Sequence, residues 1–92
     1  MNKTITVLAM KDHSEAMRVA SGLTIFGHKI DCIFTDRQIE ETPENIENAE
    51  LLEMCEITPY SLLDDPNIEK ISNDQFTQII LSSDEVISIW EH

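Results

Sequence analysis

The run from Lys11 to Asp36, KDHSEAMRVASGLTIFGHKIDCIFTD, constrains this chain more than any other stretch. It follows the apolar segment ITVLAM and reads as turn, amphipathic helix, glycine stop and second strand. Asp12 with Glu15 three residues later makes a capping-box-like helix start, with Asp12 in the N-cap role. Ala16, Val19, Ala20 and Leu23 recur at helical spacing and form one apolar stripe to lay on a sheet. Gly27 can take the left-handed conformation that ends a helix, and Lys29 to Thr35 resumes as a strand. Two parallel strands bridged by one helix make a right-handed crossover, the start of an open α/β sheet.

The remainder continues in the same alternation. Strand one, Thr4 to Met10, is apolar almost throughout, as expected where helices cover both faces. Strand two places Ile30, Cys32 and Phe34 on one face and Ile33 on the other. Thr42 and Pro43 read as N-cap and first helical position, with Glu44 and Glu47 suited to the positive end of the helix dipole. Ile46, Ala49, Leu52 and Cys55 follow at intervals of three, and Leu51 and Met54 widen that stripe. A third strand is expected over Ile57 to Leu63, with Pro59 near its start. Asp64, Asp65, Pro66 and Asn67 form a loop. Ser72 and Gln75 make a capping box for a last helix with Phe76, Ile79 and Ile80 on one face. Ser83 and Asp84 then turn the chain into a strand from Glu85 to Trp90. The expectation is one α/β domain over 1–92, a βαβαβαβ chain in three layers, with a four-stranded parallel sheet of order 2-1-3-4 and helices on both faces.

Composition narrows the partners. Eighteen acidic against six basic side chains leave a net charge of −12 over 92 residues. Such a surface repels phosphate backbones and anionic lipid, which argues against direct nucleic-acid or membrane binding. It reads as a solvated acidic surface with no specific partner or, alternatively, as the match of a partner with a basic face. Hydrophobic residues make up 41% of the chain, enough for a folded core despite that charge. Cys32 and Cys55 stand far apart without a CxxC or a histidine-rich companion, so neither a disulfide framework nor a zinc or other metal site is expected. The N-terminal apolar run is too short for a signal peptide or a membrane span, and a cytoplasmic location is expected.

Ligands of open α/β sheets meet the carboxyl ends of the strands. That rule nominates Lys11, Asp12, His13 and Ser14 after strand one, Asp36 and Arg37 after strand two, and Asp64 and Asp65 after strand three. The first loop has no glycine and no Ser/Thr cluster, so no P-loop, flavin-phosphate loop or dinucleotide fingerprint is present and no cofactor is expected. His13, near a helix start, can serve as a neutral base or polar anchor, although a residue so placed is more often an exposed turn histidine. His28 reads as structural, and His92 is uninformative. Asp64 and Asp65 could hold a metal, but two adjacent acids before a proline are more often turn chemistry. Cys32 reads as a small apolar filler. Cys55 falls near a helix C-terminus, where the dipole destabilises a thiolate. No catalytic constellation emerges from spacing, and Cys55 and His13 are the two weak candidates. Trp90 suits a sheet-edge cover or a subunit contact.

Two stretches, SEAMRVASGLTIFGHKIDCIFTD and ITPYSLLDD followed by ISNDQFTQIILSSDEVISIW, resemble the DsrE/DsrF/DsrH superfamily of small sulfur-transfer proteins. The N-terminal stretch is similar to that family's first helix, Gly-His turn and second strand. The C-terminal stretch resembles the third strand and closing segment of the DsrH (TusB) branch. The resemblance implies a four- or five-stranded flavodoxin-like parallel sheet and assembly into homo- or hetero-oligomers. It also implies the handing of persulfide sulfur between proteins, for tRNA thiolation or sulfur oxidation. Carrier members place their cysteine in the loop after the third strand, where this chain has LLDDPN and no thiol. The expectation is therefore a non-catalytic partner or scaffold subunit of a sulfur relay. The alternatives are a persulfide carrier using Cys55 and a small-ligand-binding oligomeric module. Self-association through a face that includes Trp90 is expected in each case.

Overall fold

A computed structural model describes residues 3–36, 38–66 and 68–89. Arg37, Trp90 and His92, singled out above, lie outside the described residues. The chain runs β1 (Thr4–Ala9), α1 (His13–Leu23), β2 (Lys29–Phe34), α2 (Pro43–Met54), β3 (Pro59–Ser61), β4 (Glu69–Lys70), α3 (Asn73–Ser82) and β5 (Glu85–Ile89). All strand pairings are parallel, and the sheet order is β4-β3-β2-β1-β5.

This corrects the expected four-stranded order 2-1-3-4. The strand after α2 pairs with β2, not β1, and the last strand takes the place beside β1. Right-handed crossovers are compatible with either choice, because handedness fixes which face a helix covers and leaves open whether the chain moves outward or back. Here α1 and α2 pack side by side on one face, so the chain steps outward from β1 to β2 to β3. It then recrosses through α3 on the other face. The added strand, β4, is two residues long and charged, and it pairs Glu69 with Tyr60 and Lys70 with Ser61. So short a run carries no readable period. The third strand shrinks to Pro59–Ser61, with Ile57 buried ahead of it.

The helix caps are made by the residues that the spacing indicates. Asp12 accepts from the Glu15 backbone N–H, Thr42 from that of Asn45, and Ser72 and Gln75 form a complete capping box. Between α1 and β2 the chain makes a 3-10 turn over Thr24–Phe26, closed by Gly27 at φ 81°. That left-handed value is one a residue with a Cβ adopts at a cost.

The faces differ from expectation in a telling way. The buried side of α1 is His13, Ala16, Met17, Ala20 and Ser21, while Val19 and Leu23 are half-buried. On α2 only Leu52 is buried, with Asn45, Asn48 and Cys55 half-buried beside it. Ile46 and Met54 are 51% and 80% exposed, and Ala49 is exposed too. The helix is turned toward α1, to which it is joined by a hydrogen bond from the Ser14 hydroxyl to Asn45 Oδ1. Of its apolar stripe, Leu52 and Cys55 reach the core while Ile46 and Ala49 stay exposed. The core lies under α1, where Ile5, Val7, Ala9, Ile30, Cys32 and Phe34 meet Ala16, Met17 and Ala20. On the opposite face Thr6 and Ile33 are buried, the Thr6 hydroxyl pairs with that of Ser83, and Phe76, Ile79 and Ile80 are half-buried. Among the described residues no helix is long and apolar enough to cross a membrane.

Candidate functional site

The carboxyl ends of β1 and β2 gather five of the nominated residues, Lys11, Asp12, His13, Ser14 and Asp36. β1 ends at Ala9, and the chain bends so that the Asp12 N–H donates to the Met10 carbonyl (2.6 Å). Lys11, between them, has φ 58°, a left-handed conformation that strains a residue with a side chain. One carboxylate holds this turn. Asp36 Oδ2 accepts from the Lys11 backbone N–H (2.6 Å), and Asp36 Oδ1 bonds His13 Nε2 (2.8 Å). Because β1 and β2 are in register, with Ala9 beside Phe34, the residue two beyond Phe34 comes level with the turn after β1. Charge-assisted bonds of this length are among the stronger ones available to a turn.

His13 opens α1, 4% exposed, with its ring edge-on to Phe34 at 5.0 Å between centroids. The expectation of an exposed turn histidine is thus corrected. A carboxylate only accepts, so the pairing places a proton on Nε2. His13 also lines a cleft of about 400 Å³ whose other walls include Lys11, Ser14, Glu40, Thr42 and Asn45. Arg18, at the same cleft, is bound by Glu15, whose hydrogen bond and charge raise its pKa. A histidine oriented by a carboxylate is the arrangement of a general base. Among the described residues no nucleophile is bonded to it, since the Ser14 hydroxyl is committed to Asn45.

Asp64 and Asp65 do not join this group. The Asp64 carbonyl accepts from Gln38 Nε2, and Asp65 Oδ2 accepts from the Ile39 N–H (3.3 Å). Together they tie the segment after β2 to the loop after β3. Asp64 also meets Lys70 in an exposed ion pair at 3.2 Å. Neither thiol reaches the strand ends. Cys32 is fully buried in mid-β2, where burial and then the nearby Asp31 charge push its pKa up to about 12. Cys55 caps α2 half-buried, its sulfur 4.0 Å from the Ser21 carbonyl. Among the described residues no group of three or more His, Cys, Asp or Glu side chains could hold a metal. His28 takes a structural place, its Nδ1 accepting from the Lys3 N–H (3.1 Å).

Residue spacing nominated His13 and Asp36 separately but could not join them. The signal that could have done so is their equivalent placement just past two adjacent strands, which needs the strand order first. Asp36→Ala is expected to leave His13 Nε2–H without its partner and the Lys11 turn without its acceptor, at a cost of about 1–3 kcal/mol. Urea unfolding of Asp36→Ala, His13→Ala and the double variant measures this. Strict additivity of the two single effects would show that the pair is not coupled. Compared with known proteins, the chain matches no family model and no curated protein.

Proposed function

We propose that this chain is a partner subunit of a sulfur-relay assembly of the DsrE/DsrF/DsrH kind, nearest the DsrH (TusB) branch, that does not itself carry sulfur. The observation that carries this reading is where the thiols stand. The loop after β3, where carrier relatives hold their cysteine, has Asp64 and Asp65 in structural roles, while Cys32 is sealed in the core. An all-parallel α/β sheet is compatible with the resemblance, while its order β4-β3-β2-β1-β5 differs from the 2-1-3-4-5 of flavodoxin-like sheets. Exposed Leu81 on α3 and Val86 on the edge strand β5 suit assembly into a homo- or hetero-oligomer.

Two measurements test the reading. After incubation with glutathione persulfide, the intact mass of the chain is expected to remain unchanged. A gain of one sulfur atom that disappears in Cys55→Ser would instead make Cys55 a carrier. Co-expressed with a cysteine-bearing DsrE-type subunit from the same source, the chain is expected to elute as a complex, and separate elution would sink the partner role. An alternative reading, a small-ligand module, is favoured by the cleft that His13 lines. That reading predicts ligand-induced NMR shifts centred on Ser14 and Asn45.

A further inference from the structure

Beside α2 lies a groove of about 620 Å³, lined mainly by apolar side chains and within the size range of binding cavities. Phe34 and Leu52 contribute to it from β2 and α2, Ile46 and Ala49 come from the exposed side of α2, and Ile57 and Ile68 flank β3 and β4. Its origin is topological. Parallel neighbours are ordinarily joined by a crossover of a dozen or more residues, usually a helix that covers the sheet. The connection from β3 to β4 spans only residues 62–68 and contains no helix among its described residues. A right-handed crossover there would have placed its helix on the face of α1 and α2, next to α2. Since α2 is turned toward α1, no described helix lies over β3 and β4.

We propose that this groove receives an amphipathic basic helix from a protein partner, laid where the β3–β4 crossover helix is missing. The groove's shape argues for a helix, because the position is that of a layer element and its walls are apolar at successive turns of α2. Charge sets the sign of the partner. Of the described residues that line it, Glu41, Glu50, Glu53 and Asp65 are acidic and none is basic. The partner helix thus carries apolar anchors at i, i+3 or i+4 and i+7, with lysine or arginine flanking them. A second copy of this chain is disfavoured, since it would bring more carboxylates to a chain already at −12. The inference is independent of the sulfur-relay reading, which concerns the thiols and not this groove.

The test uses the full chain and synthetic amidated helical peptides of leucine with lysine, of leucine with glutamate, and a scrambled lysine peptide without a leucine stripe. NMR amide shifts of the unmodified protein show where the lysine peptide binds, and anisotropy gives the affinity. The lysine peptide is expected to bind with Kd below about 100 μM, to shift residues of α2 and residues 57–58, and to weaken with salt. Glu53→Lys and Ile46→Asp should each weaken it by about tenfold. Asp74→Lys, the same charge change on α3, should alter it by less than about twofold. Circular dichroism melts confirm that the variants fold, and the shift map stands without them. The proposal is overturned by equal binding of the glutamate or scrambled peptide, equal loss in Asp74→Lys, or shifts centred outside the groove. Self-association with the groove as its contact would overturn it as well.

Discussion

Phe34→Ala is expected to cost about 3–5 kcal/mol, a large share of the roughly 5–15 kcal/mol that holds a domain of this size together. Among the described residues Phe34 is the largest fully buried side chain, set at the end of β2 between Ala9 of β1 and Ser61 of β3. Its ring touches His13 and forms part of the groove beside α2. Removing it leaves a cavity where the core meets the strand ends, and the melting temperature should fall by more than about 10 °C. Phe26→Ala is the control. That side chain is 71% exposed on the 3-10 turn, and its loss should stay within about 0.5 kcal/mol. Comparable melting temperatures for the two variants would place Phe34 outside the core.

Alkaline destabilisation through Cys32 is the other large effect. Its thiol, ordinarily near 9.0, is pushed up to about 12 in the folded chain by burial and, less, by Asp31. Below pH 9 the thiol is protonated in folded and unfolded chains alike, and the contribution to stability is fully present. Above it the unfolded chain releases the proton while the folded chain keeps it, so stability is lost as pH rises toward 12. A rise from 9.0 to about 12 corresponds to about 4 kcal/mol at the end of that window. Unfolding free energies of the parent and Cys32→Ala, measured from pH 8 to 12, isolate this from other alkaline titrations. The parent's curve should descend more steeply. Parallel curves would show that the thiol is open to solvent.

Much of this protein was legible before its structure was known. The three helix starts at Asp12, Thr42 and Ser72 are made by side chains reaching three residues along the chain, so their cause is local. Gly27 stops the turn after α1 for the same kind of reason, through its own backbone freedom. Parallel strands over Thr4–Ala9 and Lys29–Phe34 follow from apolar runs on either side of an amphipathic helix. The nomination of Lys11, Asp12, His13 and Asp36 needed only the rule that sites collect past strand ends.

Tertiary structure decided the rest. Whether the chain after α2 moves outward to β3 or back past β1 depends on how α1 and α2 pack, and no residue near the choice records it. The two-residue β4 exists because Tyr60 and Ser61 offer it an edge, not because Glu69 and Lys70 favour a strand. The stripe of Ile46 and Ala49 is apolar at helical spacing, and an apolar stripe names a face without naming what covers it. Rotation of α2 toward α1 left that face open as a groove. Adjacency of β1 and β2 likewise turned two unrelated loop residues into a part-buried His13–Asp36 pair. Caps and turns are settled by neighbours along the chain, whereas strand order, helix rotation and paired charges depend on contacts between distant segments.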